Sequence, residues 1–196
     1  MIVVFGGAFN PPTLAHLEII NYLVKLEDVN KVIIVPVGDM YEKLGLINAT
    51  HRLKMLEIMT EEIDKVDIST IEIDAPHTYK TIETMNELQK VYPREKLAFV
   101  IGADNLEQLD TWSNYETLLE NFNIFILNRN KIEIKSIIDC KFLKFENNFR
   151  HITDVDIAPI SSTVFRSNSN KTGLVHEFVA AYIKKHRLYT GEVIEI

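Results

Sequence analysis

The residues best suited to chemistry stand in the run GGAFNPPTLAH, Gly6 to His16, which sets two glycines, a turn and a helix start directly after an apolar strand. Gly6 and Gly7 let backbone N–H groups approach an anion closely, and the following helix turns the positive end of its dipole toward the same point. Thr13 and His16 are three residues apart, so they share a face of the first helical turns and both can reach one phosphate. A second concentration is Gly102-Ala103-Asp104, which follows the apolar run Leu97 to Ile101. It falls just past a strand's carboxyl end, where open α/β sheets gather ligands. Asp104 suits a contact to a hydrated cation or a ribose hydroxyl, but geometry favours a cap for the next helix. A third is Ser161-Ser162-Thr163 with Arg166, hydroxyls and a guanidinium at a short helix, where capping and anion binding use the same unpaired N–H groups.

Other candidates carry ordinary readings of equal or greater weight. Lys43 lies in a polar loop and Arg52 on a helix, where such side chains are mostly solvated or ion-paired. Trp112, between Asp110-Thr111 and Ser113, fits a pocket rim, although a lone Trp packs first and binds second. Arg129 closes the run Phe122 to Asn128 and is a candidate base or phosphate contact. The sequence holds no HExxH, cysteine cluster or EF-hand loop, so no dedicated protein metal site is expected.

The elements that must position these residues alternate between short β-rich runs and helical patterns, which predicts a parallel sheet with crossover helices. Ile2 to Phe5 reads as the first strand, and a helix runs from the Pro11-Pro12 start to about Leu26. Lys31 to Val37 is the second strand. Thr50 is expected to cap the helix bearing Leu53, Leu56 and Met59. Val66 to Ile73 alternates as a third strand and Thr78 to Val91 reads as helix, with Ile82, Met85 and Leu88 inward. Leu97 to Ile101 and Phe122 to Leu127 are buried strands, and His151 to Ile157 is a weaker one. A short helix through Arg166 and an amphipathic helix from Leu174 to His186 close the series. The expected architecture is a Rossmann-like, doubly wound, three-layer α/β/α domain over residues 1–196, with the ISSTxxR segment and the C-terminal helices on the sheet.

Composition sets outer limits. The 196 residues are 46% hydrophobic and 25% charged, a globular balance. A chain of this size buries roughly 70% of its unfolded surface and needs no disulfide or metal to hold a core. The formal charge of −7, without a basic block, argues against nonspecific nucleic-acid binding. The single Cys140 fits a reducing compartment. No apolar run approaches the roughly 20 residues that span a bilayer, and MIVVFGG reads as a strand rather than a signal peptide. A cytoplasmic protein without nucleic-acid or membrane partners is the expectation; oligomeric state is not legible.

Taken together, the motifs resemble the nucleotidyltransferases with a [HT]-x-G-H motif, and among them the nicotinate and nicotinamide mononucleotide adenylyltransferases. GGAFNPPTLAH is similar to the ATP-binding signature, with Thr13 at the first motif position and Ala15 where glycine is usual. VIGADNLEQLDTW (Val100 to Trp112) resembles the family's strand, GAD turn and tryptophan, and ISSTVFR (Ile160 to Arg166) its ISSTxxR motif. YEKLGLINATHR and TYKTIET resemble its phosphate-contacting lysine segment and its mononucleotide-contacting Thr-Tyr segment.

By that resemblance, Gly6, Gly7, Phe9, Thr13, His16, Gly102, Asp104, Ser161, Ser162, Thr163 and Arg166 would bind ATP, with His16 and Arg166 catalytic. Ala8, Lys43, Arg52, Thr78, Tyr79, Trp112 and Arg129 would face the mononucleotide. The reaction implied joins a pyridine mononucleotide to the AMP part of ATP and releases pyrophosphate, with Mg²⁺ carried on the ATP phosphates. Nicotinate mononucleotide is the expected acceptor, and nicotinamide mononucleotide or dual use is the alternative. Phosphopantetheine adenylyltransferases share the first motif, but Thr78-Tyr79, GAD and Trp112 fit them less well. A nucleotide-binding module without turnover is the reading from outside enzymology. The acceptor's phosphate is already ionised at neutral pH, so such chemistry asks for donors and cations rather than paired carboxylates.

Overall fold

A computed structural model describes residues 1–128, 132–152, 160–167 and 173–190. Six strands form one sheet: β1 (Ile2–Gly7), β2 (Lys31–Pro36), β3 (Val66–Ile68), β4 (Leu97–Gly102), β5 (Asn123–Leu127) and β6 (Phe149–Ile152). Their order is β3-β2-β1-β4-β5-β6 and every pairing is parallel. Parallel strands covered on both faces need apolar residues at nearly every position, which is what IVVF, VIIV and LAFVI supply.

Because side chains alternate across a strand, each face takes its own core. Val3, Phe5, Ile34 and Phe125 meet Ile19, Ile20 and Leu23 of α1 (Leu14–Leu23) and Met55, Leu56 and Met59 of α2 (Ala49–Thr60). Phe165 of α7 (Ser162–Ser167) and Val179 and Ile183 of α8 (Glu177–Lys185) complete that layer. Val4, Phe99, Ile101 and Ile124 meet Ile82, Met85 and Leu88 of α3 (Thr81–Val91), Leu106 of α4 (Ala103–Glu107) and Leu118 and Leu119 of α5 (Tyr115–Asn121). Ile134 of α6 (Ile134–Ile137), the start of a run of helical turns through Asn148, joins the same layer. Each such buried side chain contributes about 1.5–3 kcal/mol. The result is the doubly wound α/β/α architecture expected from the sequence.

Several boundaries move, each for a local reason. Helix α1 starts at Leu14, after Thr13, whose carbonyl accepts the His16 and Leu17 N–H groups at 3.0 and 3.2 Å. Asn48, not Thr50, caps α2, its side chain accepting the Thr50 N–H at 2.8 Å. Strand β3 stops at Ile68: Ser69 still donates to the Ile34 carbonyl, and then Asp74 N–H bonds back to the Thr70 carbonyl at 2.8 Å. The alternation through Ile73 therefore belongs to a packed turn. Helices α3 and α8 are shorter than their patterns, beginning at Thr81 and Glu177. Strand β6 begins at Phe149, and the expected continuation to Ile157 lies outside the described residues. Among the described residues, no helix is long and apolar enough to cross a membrane.

The turn after β3 presses its Glu72 carbonyl onto Gly38, just beyond β2, so that a Cβ at residue 38 would overlap that backbone. Gly38→Ala is expected to cost about 1–3 kcal/mol. That is a fall in Tm of roughly 3–10 °C in a thermal melt; a Tm unchanged from wild type would contradict the close approach.

Candidate active site

The sheet order reverses between β1 and β4, and at their carboxyl ends opens a cleft of about 920 Å³. A crevice at that point is where doubly wound sheets take ligands. Gly6 and Gly7, ending β1, and Gly102, ending β4, are in its wall. A Cβ on Gly6 would lie 3.1 Å from the Phe99 ring, and one on Gly7 3.2 Å from the Phe9 ring, so packing as well as ligand access keeps these positions small.

His16 enters the cleft from the first turn of α1. Its Nδ1 accepts the Thr13 backbone N–H at 3.0 Å and lies 2.7 Å from the Thr13 hydroxyl. A ring nitrogen that accepts an N–H carries no proton, which places the imidazole proton on Nε2 and makes that atom a donor. The ring is held between Phe9 and Phe5, with centroids at 5.1 and 6.1 Å. Phe9 itself is buried and takes a left-handed φ of 45°, which turns the chain sharply beneath the imidazole.

The rest of that loop hangs on side chains from distant parts of the sequence. Arg52 Nη1 donates to the Ala8 carbonyl at 3.1 Å, Arg166 Nη1 to the Asn10 carbonyl at 2.7 Å, and Ser162 Oγ to the Pro11 carbonyl at 2.8 Å. Asn10, fully buried, donates to the Gly45 carbonyl at 2.7 Å and accepts from the Tyr189 hydroxyl at 2.8 Å and from Ile47 N–H at 3.3 Å. Burial raises the Tyr189 phenol well above its ordinary value, so it remains a donor. One buried amide thus ties the glycine-turn loop to the segment after Lys43 and to the C-terminal end of the fold. Lys43 is held below the usual lysine range by burial and then by the charge of Arg166. Positive charge from both side chains favours an anion there.

The wall also includes Tyr41, Glu72, Thr78, Tyr79, Lys80, Thr81 and Trp112. The Thr78 hydroxyl donates to the Met40 carbonyl at 2.8 Å, and Tyr79 meets His77 edge-on at 5.1 Å. Trp112 both packs and faces the cleft, its ring edge-on to Phe99 at 6.4 Å. Asp104 does not occupy the cap position expected of it. Gly102 is the N-cap of α4, and the Asp104 carboxylate folds back over that glycine into the wall.

The structure therefore gathers Gly6, Gly7, His16, Gly102, Asp104, Thr78, Tyr79 and Trp112 around one cavity. Thr13 and Phe9 support His16 from behind, both buried. Ser162 and Arg166 hold the loop, Ser161 Oγ accepts Val164 N–H at 3.1 Å within α7, and Thr163 Oγ1 receives Arg166 Nη2 at 3.4 Å. Of the predicted site residues, Ala8, Phe9, Thr13, Lys43, Arg52, Ser161, Ser162, Thr163 and Arg166 are not in the cavity wall, so Arg166 does not share the cavity with His16. Arg52 is fully buried, with Nε on the Ile47 carbonyl at 2.9 Å and Nη2 on Asp39 at 3.1 Å, so its donors serve the fold. Arg129 lies outside the described residues. Glu72, Asn10 and Tyr189 are not singled out by the sequence; Glu72 stands at a polar position of the alternating run Val66 to Ile73, where an acid is ordinary. Among the described residues, no three His, Cys, Asp or Glu side chains converge as a metal site.

Comparison with known proteins agrees with this fold. The profile of the cytidylyltransferase-like family matches residues 4–168. The chain is 37% identical over 192 residues to the "Probable nicotinate-nucleotide adenylyltransferase" of Acholeplasma laidlawii, covering 96% of this chain and 97% of that protein. It is 36% identical over 190 residues to the protein of the same name from Fusobacterium nucleatum, covering 94% and 97%. In fold it is similar to the Plasmodium falciparum nicotinic acid mononucleotide adenylyltransferase complexed with NaAD, with a TM-score of 0.80, 22% identity and 98% of each chain covered.

Proposed function

The chain belongs to the cytidylyltransferase-like family, and from that premise we propose that it transfers the adenylyl group of ATP to nicotinate mononucleotide, forming nicotinate adenine dinucleotide and pyrophosphate. The observation that carries the reading is the glycine turn with His16, opening on a cleft at the sheet's reversal point. Full-length relatives named for this reaction give the acceptor.

The acceptor's phosphate monoester has a second pKa near 6, so roughly nine-tenths of it is dianionic at pH 7. No base is needed. One of its oxygens forms a bond to the α-phosphorus of ATP while the bond from that phosphorus to the bridging oxygen breaks, and pyrophosphate leaves with the bonding pair. The protein's part is to align the two reactants and to meet charge growing on the leaving oxygens. His16 Nε2–H is the donor for that charge. Lys43 and Arg166, outside the cavity wall but near enough to each other to interact, would supply positive charge for the β- and γ-phosphates, where a unit charge pair at ~4 Å interacts by about 4 kcal/mol at an effective dielectric near 20. Gly6, Gly7 and Gly102 leave room for the nucleotide, and Thr78, Tyr79 and Trp112 take the pyridine mononucleotide.

Asp104, the carboxylate in the wall beside Gly102, would hold, through water, a magnesium ion carried in on the ATP phosphates. Such an ion, when bound, would neutralise charge on the leaving phosphates.

Pyrophosphate release, measured with each acceptor at equal concentration and saturating MgATP, tests the assignment. A higher kcat/KM for nicotinate mononucleotide than for nicotinamide mononucleotide is expected. The reverse order would overturn the acceptor, and no release with either would overturn the reaction.

A further inference from the structure

Glu72 is a carboxyl in the cleft wall that the reaction above does not use. It is fixed from two sides. Its backbone is pressed onto Gly38, and its Oε1 accepts the hydroxyl of Thr84, a buried residue of α3, at 2.6 Å. Among the described residues no Lys, Arg or His forms an ion pair with it. Burial raises the carboxyl above its ordinary range, partly opposed by the Thr84 hydrogen bond. A half-buried carboxyl without a cation costs stability, and a titratable group so placed in a cleft is a candidate for ligand contact.

The charge and shape of the surroundings decide which part of the acceptor it meets. Repulsion would keep a dianionic phosphate away from Glu72, whereas His16, in the same cavity wall, offers it a donor. The same cavity wall carries Tyr41, Tyr79 and Trp112, rings that suit a flat cationic pyridinium. The variable group on that ring is an anionic carboxylate in the acid mononucleotide. In the amide it is a neutral group with two N–H donors. Resting on the adenylyl-transfer reading, we propose that Glu72 is a specificity-determining residue, whose second carboxyl oxygen accepts from the amide and repels the acid. Lys80, exposed in the same wall, is the opposing cation. The balance of these two charges sets how far the acid is preferred, and Glu72 keeps the amide usable as a second acceptor.

The test is kcat/KM for both mononucleotides, with MgATP, in wild type, Glu72→Gln and Lys80→Gln. Glu72→Gln is expected to raise the acid-to-amide ratio on the order of tenfold, and Lys80→Gln to lower it. If Glu72→Gln lowers both acceptors equally, the carboxyl reads the shared ribose or only braces the turn, and the proposal fails; an unchanged ratio also overturns it. Should Glu72→Gln not fold, the Lys80→Gln ratio decides, since an unmoved ratio there denies the charge balance. Failure of the reaction itself would show in wild type as no pyrophosphate release with either acceptor.

Discussion

His16→Ala is expected to lower kcat by a factor of about 100 or more, the scale of one lost donor to transition-state charge. On the proposed reaction the Nε2–H meets charge that develops only as pyrophosphate departs, so KM for ATP should change far less than kcat. The variant also removes a ring packed against Phe5 and Phe9 and leaves the Thr13 N–H without its acceptor. Some loss of stability is therefore expected, and the activity must be read below the variant's melting range. Steady-state pyrophosphate release alongside a thermal melt checks both. A folded variant with wild-type kcat would remove His16 from the mechanism, whereas a raised KM at constant kcat would make it a ground-state contact.

The parts of this protein that could be read from sequence are those in which local pattern and tertiary role coincide. Strands such as VIIV and LAFVI are apolar at every position because both faces are covered, so the parallel sheet was legible. The glycine turn was legible as well, since Gly6, Gly7, Thr13 and His16 are near neighbours in the chain, at the end of β1 and the start of α1. What was not legible is what depends on residues far apart. Arg52 looked like a solvated or phosphate-binding cation. Only the fold shows it beneath the loop, joined to Ala8, Asp39 and Ile47. Asn10 is an ordinary turn residue in sequence, and its bond to Tyr189 spans 179 positions. Glu72 was hidden because Ile71 and Ile73 continue a strand-like alternation through a turn. Asp104 missed its expected cap by two residues, as Gly102 takes the extended conformation that begins α4.

Arg52→Met should be the most destabilising single change among the charged residues of this region. The side chain is 0% exposed, and its removal strips partners from the Ala8 and Ile47 carbonyls and from Asp39 together. Breaking a fully buried ion pair costs about 3–5 kcal/mol. Asp39 is 48% exposed and also accepts from Asn48 and Ala49, which softens its share. A net loss of about 2–4 kcal/mol is expected, or roughly 5–15 °C in Tm. Arg52→Lys should recover only part of it, because an ammonium restores the charge without the planar fork that spans three acceptors. Activity should fall with the loop that Arg52 holds, but in both variants it should return on cooling below the melting range. If Arg52 acted on substrate instead, Arg52→Met would melt like wild type and show a raised KM for the mononucleotide at every temperature. The two outcomes separate a residue that shapes the phosphate loop from one that touches phosphate, and full burial places Arg52 with the first.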